Sequence, residues 1–204
     1  MEELIQELGE NCIAVITYGK KHLVVVEHAR MPTLNIVASH LKDALVLRKK
    51  DIDDGLDVFP LDFLNILTDM KVLHGEDPFK SAKISKTDIR SQLEFDLRSK
   101  LIRLRTKYLQ DPKRSPQEIV HYTIDTLNPL LKGLCALKLK RLRDVPAAVP
   151  DMLAMIEEEY GFDLAVLQKI YKKRTFGRDE AKGIVEELIV LLTQMADGVD
   201  TIQT

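Results

Sequence analysis

Residues able to do chemistry gather in three places in this sequence. The first is "IAVITYGKKHLVVVEH" (13–28), where Gly19, Lys20 and Lys21 separate two β-branched apolar runs and Glu27 and His28 close the second run. A glycine turn beside two ammonium groups can cradle a phosphate through its amides and charges. The same residues also suit a solvated hairpin turn, since glycine is common turn punctuation. Glu27 with His28 reads as a polar strand end, or as a general acid/base that needs a partner. The second place is "RSPQEIVH", with Arg114 and His121 seven residues apart. On one continuous helix that spacing returns to the same face. Pro116 instead places Arg114 in the loop before the helix. The third is a pair of basic stretches: Arg98, Lys100, Arg103, Arg105, Lys107, Lys113 and Arg114, then Lys132, Lys138, Lys140, Arg141 and Arg143. Side by side they would offer a positive face to RNA, DNA or nucleotide phosphates. The competing reading is a solvated face: Arg90, Glu94 and Arg98, and Asp96 with Lys100, follow i,i+4 pairing. Few aromatics interleave with these cations, so stacking on single-stranded bases has little support.

Positioning these groups falls to two differently patterned halves. Residues 2–9 read as a short helix, and Cys12–Tyr18 and His22–His28 as strands rich in Val and Ile. Pro32 opens a helical pattern that carries through Arg48, Lys49 and Lys50 until "DIDDG" breaks it. Phe59–Leu67 and Lys71–His74 read as two further strands joined by a turn at Thr68–Met70. From Ser85 onward helix dominates. Ile89, Leu93, Leu97, Leu101, Leu104 and Tyr108 recur every three or four residues, the stripe of a long amphipathic helix. "DPKRSP" stops that helix, and Ser115-Pro116 starts another that runs to about Lys140. Further helices are expected near Pro146–Tyr160, Asp163–Lys173 and Arg178–Asp197, with Gly161 and Gly177 in C-cap positions. Long helices on short connections describe an antiparallel bundle. The change of period places a domain boundary near residue 85, giving domains 1–85 and 86–204.

Composition bounds the function classes. The chain has 204 residues, 45% hydrophobic and 30% charged, with a formal net charge of −2. That balance gives no whole-molecule attraction to nucleic acid or anionic lipid. Its two cysteines, Cys12 and Cys135, lie far apart in apolar runs. They argue against a disulfide framework or a cysteine zinc site, and for a reducing cytoplasm. No apolar segment approaches the ~20 residues of a membrane span, and the start lacks a signal-peptide pattern. The expectation is a cytoplasmic protein with no membrane partner.

Strand, glycine, strand, amphipathic helix, further strands and a helical bundle together resemble nucleotidyltransferases related to DNA polymerase beta. The likeness is closest in "DVFPLDFLNILTDMKVLHGEDPF" (57–79) and "IRSQLEFDLRSKLIRLRTKYL" (89–109), which are similar to bacterial proteins carrying this domain with a helical extension. In active members a Gly-Ser turn follows the first strand. The next strand carries Asp-x-Asp or Asp-x-Glu to hold divalent metals, and a later carboxylate completes the site. Here Tyr18-Gly19 matches the strand end and turn, but Lys20 stands where the serine would be. His22, Val24 and Val26 occupy the positions of the alternating carboxylates, and Glu27 is the only acid nearby. Asp57 or Asp62 falls in the region of the third carboxylate. Magnesium prefers near-octahedral oxygen ligation, which His22 and Val24 cannot supply.

The resemblance therefore implies an α+β fold, a small mixed β-sheet with flanking helices followed by a helical bundle, carrying a degenerate catalytic motif. The expected role is a non-catalytic binding or regulatory module with no cofactor, whose partner is a nucleotide or another protein. One alternative is an active nucleotidyltransferase using Glu27 with Asp57 or Asp62 as magnesium ligands. Another draws on the Arg114 and His121 pair, whose spacing resembles the ribonuclease site of HEPN-type helical domains, and makes the chain a nuclease or toxin–antitoxin-type component.

Overall fold

The computed structural model describes residues 1–113, 115–173 and 175–202. The chain forms two compact units, Met1–Ser85 and Lys86–Thr204.

The first unit begins with helix α1 (Glu2–Leu8), which stops at Gly9. Strands β1 (Cys12–Tyr18) and β2 (Lys21–Val26) follow as an antiparallel hairpin. Helix α2 (Met31–His40) then crosses to β3 (Leu45–Arg48), which pairs parallel to β2, as a β-α-β connection allows. A short helix α3 (Lys49–Asp53) and helix α4 (Pro60–Asp69) lead to β4 (Met70–Gly75), antiparallel to β1. The mixed four-stranded sheet has the order β3-β2-β1-β4.

Strand alternation sends Val15, Val24 and Val26 to one face, where they pack with Leu4 and Leu8 of α1 and Val37 of α2. Ala14, Ile16, Leu23 and Val25 point the other way and are equally buried, and α4 packs on β1. Gly75 shows how tightly β4 lies on β1. It holds φ 77°, and a Cβ there would sit 2.0 Å from the Ile13 carbonyl oxygen.

Two elements of this unit differ from their sequence expectation. Residues 59–67 were expected as a strand, but Pro60–Asp69 is a helix. Pro60 sits at its first position, where a missing N–H costs nothing, and Leu61, Phe63, Leu64, Ile66 and Leu67 are all buried. A segment buried on nearly all sides shows a continuous apolar run, which does not distinguish helix from strand. The helix expected from Pro32 to Lys50 also ends early, at His40. Asp43 takes a left-handed turn (φ 59°), after which Leu-Val-Leu extends as β3. The Arg48 backbone N–H then donates to Asp51 Oδ2 at 2.9 Å, capping α3.

The second unit is helical among its described residues: α5 (Lys86–Gln110), α6 (Ser115–Lys138), α7 (Val149–Tyr160), α8 (Ala165–Lys172) and α9 (Arg178–Asp200). Helices α5, α6 and α9 pack pairwise, with α7 against α6. Their apolar stripes supply the core, from Ile89, Leu93 and Leu97 to Leu188, Leu192 and Met195. Gly161 ends α7 in the left-handed conformation, as a C-cap glycine does. Gly177 instead precedes α9 as its N-cap, with φ −64°.

Candidate functional sites

The turn of the β1–β2 hairpin is set by its residue types. Tyr18 pairs with Lys21, leaving Gly19-Lys20 as a two-residue loop. Gly19 has φ 54° and Lys20 does not have a positive φ. This is the type II′ arrangement, which takes glycine first and matches the twist of the strands. Lys20 and Lys21 are both exposed, and neither side chain forms an ion pair among the described residues. The surroundings are not uniformly positive, however. A Cβ on Gly19 would lie 3.9 Å from Asp69 Oδ2, so a carboxylate from the end of α4 stands beside the turn. Asp62, in the first turn of α4, is close enough to Tyr18 to act on its phenol. Burial, and after it the Asp62 charge, raise the Tyr18 hydroxyl above its ordinary range. The Asp62 side chain reaches solvent, yet partial dehydration by the surrounding protein raises its carboxyl as well. A phosphate at this turn would meet two lysines and the Asp69 carboxylate together.

Glu27 lies at the other end of the hairpin. Its backbone N–H donates to the Asn11 carbonyl at 3.0 Å, beside the Cys12–Val26 pair that opens the hairpin. The neighbouring polar groups form a structural latch. Asn11 Nδ2 donates to the His28 carbonyl (3.1 Å) and to Thr33 Oγ1 (3.0 Å). The His28 N–H donates to Asn11 Oδ1 (2.8 Å), and Thr33 Oγ1 donates to the His28 carbonyl (3.0 Å). The latch ties the strand end to the start of α2, while the Glu27 side chain stays exposed. Strand β1, seven residues long, separates this end from the Tyr18 end by about 20 Å. Asp57 is exposed in the connection between α3 and α4. Among the described residues no group of three or more His, Cys, Asp or Glu could hold a metal ion.

In the helical unit, His121 is exposed on α6 and Arg114 lies outside the described residues. Four cations of the two basic stretches pair with local acids. Arg98 bonds Glu94 (2.9 Å) and approaches Asp197 (3.8 Å), and Lys107 pairs with Glu118 (3.1 Å). Lys138 pairs with Glu159 (3.6 Å) and Arg141 with Asp144 (2.9 Å). Lys132 is fully buried and so belongs to no exposed face. Arg103, Arg105, Lys113 and Lys140 stay exposed without an ion pair among the described residues.

Lys100 is a group that the sequence reading placed on a solvated face and that the structure buries. It is 8% exposed. Its Nζ donates to Thr126 Oγ1 on α6 and lies 5.1 Å from the centre of the Tyr122 ring. The Thr126 hydroxyl donates to the Tyr122 carbonyl at 2.7 Å, so its lone pairs are free to accept from the ammonium. Burial lowers the Lys100 ammonium to about 8. Asp96 one turn earlier partly opposes this, and Arg103 adds to it. The position was legible in the spacing, because Leu93, Leu97, Lys100 and Leu104 share one stripe.

Geometry thus defines an α+β protein with a tight, mixed-charge hairpin turn in one unit and a buried lysine in the other. The chain matches no family model, no curated protein and no solved structure. No described helix is long and apolar enough to cross a membrane.

Proposed function

We propose that this chain is a nucleotidyltransferase-like protein that has lost nucleotide transfer and serves as a binding or regulatory module. The mixed sheet flanked by helices, followed by a helical unit, is compatible with that ancestry. The observation that carries the reading is the placement of the acids. A two-metal transfer site needs carboxylates converging on cations a few ångströms apart. Among the described residues no group of three or more His, Cys, Asp or Glu could hold a metal ion. Glu27 follows β2 at the Asn11 end of the hairpin, Asp62 acts on the Tyr18 phenol, and Asp57 lies in an exposed connection. The mixed charge at the Gly19 turn favours the structural hairpin over a phosphate clamp, because Asp69 opposes the attraction of Lys20 and Lys21.

The test is incubation with α-labelled nucleoside triphosphates, magnesium or manganese, and protein, RNA and small-molecule acceptors. No transfer above a metal-free control is expected. Metal-dependent transfer that is lost in Glu27→Gln or Asp62→Asn would replace this reading with an active nucleotidyltransferase.

A further inference from the structure

Helices α5 and α6 enclose a cavity of about 400 Å³ whose lining includes Lys100, Ile102, Arg103, Ile119, Tyr122 and Thr123. Its size falls within the range of small-molecule sites. The walls are mixed in a particular way. Ile102 and Tyr122 are 62% and 41% exposed, so the mouth offers apolar surface to solvent beside the polar Arg103, Thr106, Lys107 and Gln110. The floor carries the Lys100 ammonium, which has a hydroxyl and a ring face for company but no carboxylate within ion-pair distance among the described residues.

Buried lysines are rare unless paired, because removing a charge from water costs more than a single hydroxyl returns. The charges acting on Lys100 are Asp96 and Arg103, both on its own helix, while α6 faces it with Thr126 and Tyr122. Arg103 is exposed at the rim, and Lys107 also lines the cavity but is paired with Glu118. That leaves Lys100 and Arg103 as the two lining cations without an ion pair among the described residues, and these repel each other. An anion between them would relieve that repulsion and complete the hydrogen bonding of Lys100, while its apolar body lay against Ile102, Ile119 and the Tyr122 ring.

We infer that the α5–α6 cavity is a binding site for a small amphiphilic monoanion, a carboxylate carried on an apolar body. A monoanion fits better than a dianionic phosphate because, of the three lining cations, only Lys100 is buried and Lys107 is already paired with Glu118. Dehydrated charge has to be matched closely, whereas the exposed Arg103 remains screened by water. This site lies within the helical unit, and the inference holds whether or not the first unit transfers nucleotides.

Calorimetric titration of the full chain tests it, with octanoate as probe and octan-1-ol, octylammonium and adenosine monophosphate as controls. Octanoate should bind at one saturable site, and octanol and octylammonium should not. Lys100→Met, which keeps the side chain's length, should weaken octanoate at least tenfold. Arg103→Glu, at an exposed position with no ion pair to break, should weaken it severalfold and leave the melting temperature unchanged. Absence of saturable octanoate binding would overturn the inference. So would equal affinity for octanol, or an unchanged affinity in both variants. Tighter binding of adenosine monophosphate, in competition with octanoate, would overturn the monocarboxylate class in favour of a phosphate ligand.

Discussion

Lys100 carries an electrostatic cost that its burial makes visible. Its ammonium titrates near 8 in the folded chain instead of at the ordinary 10.5, because burial disfavours the charged form. Between those values the unfolded chain holds the proton and the folded chain does not, so stability rises with pH across about 8 to 10.5. Below about 8 both states are protonated and the cost is fully present. At the conversion of 1.36 kcal/mol per pKa unit, its upper bound is about 3–4 kcal/mol. Lys100→Met should therefore raise the melting temperature at pH 7 and flatten the rise between pH 8 and 10, measured by thermal melts across that range. A variant less stable at pH 7 would mean that the Thr126 and Tyr122 contacts outweigh the cost of burying the charge. Gly75 makes a second argument at this scale. An alanine Cβ there would strike the Ile13 carbonyl, whereas one at Gly19 would meet nothing closer than 3.9 Å. Gly75→Ala should thus cost about 3 kcal/mol or more, and Gly19→Ala only the left-handed penalty of about 1–2 kcal/mol. Denaturant titrations giving equal losses would contradict the close β1–β4 approach.

The hairpin element holds its shape through paired backbone and a glycine turn, without help from its lysines. Lys20→Ala combined with Lys21→Ala should leave stability within about 0.5 kcal/mol of wild type, as surface changes generally do. It should leave polyphosphate binding undetectable before and after, measured by calorimetry at low salt. Magnesium-independent binding that the double variant abolishes would restore the phosphate clamp. How much of an element could be read in advance depended on how it is buried. Strands β1 and β2 are β-branched runs of the right length, and α5 shows its stripe plainly, so their residue types were sufficient. Helix α4 is buried nearly all round and loses its period, so only Pro60 at its start hinted at a helix. Strand β3 was concealed because Leu45 and Ala44 also continue the apolar face of α2. What ended the helix was the Asp43 turn, a backbone conformation that residue types alone did not announce. The candidate sites follow the same rule. Gly19, Lys20 and Lys21 were placed correctly at a turn, but Asp69 beside them depends on how α4 packs on β1. The burial of Lys100 could have been found by following the stripe through Lys100 as well as its leucines.

At the scale of the whole chain, the period changes near residue 85, and the compact units divide between Ser85 and Lys86. Helices α5, α6 and α9 satisfy one another's apolar faces within residues 86–204, so that fragment should be soluble and strongly helical by circular dichroism. Residues 1–85 alone should be the weaker half, since so small a domain buries a limited fraction of its surface. An unfolded 86–204 fragment beside a stable full chain would show that the helices depend on the first unit. The central claim is that the acids of the first unit do not converge on a metal. Electron paramagnetic resonance of manganese(II), titrated with the full chain in the presence of a nucleoside triphosphate, measures this directly. The account predicts that protein leaves the signal of the manganese–nucleotide mixture unchanged up to millimolar concentrations. A protein-dependent, saturable change in that signal, removed by Glu27→Gln or Asp62→Asn, would contradict it.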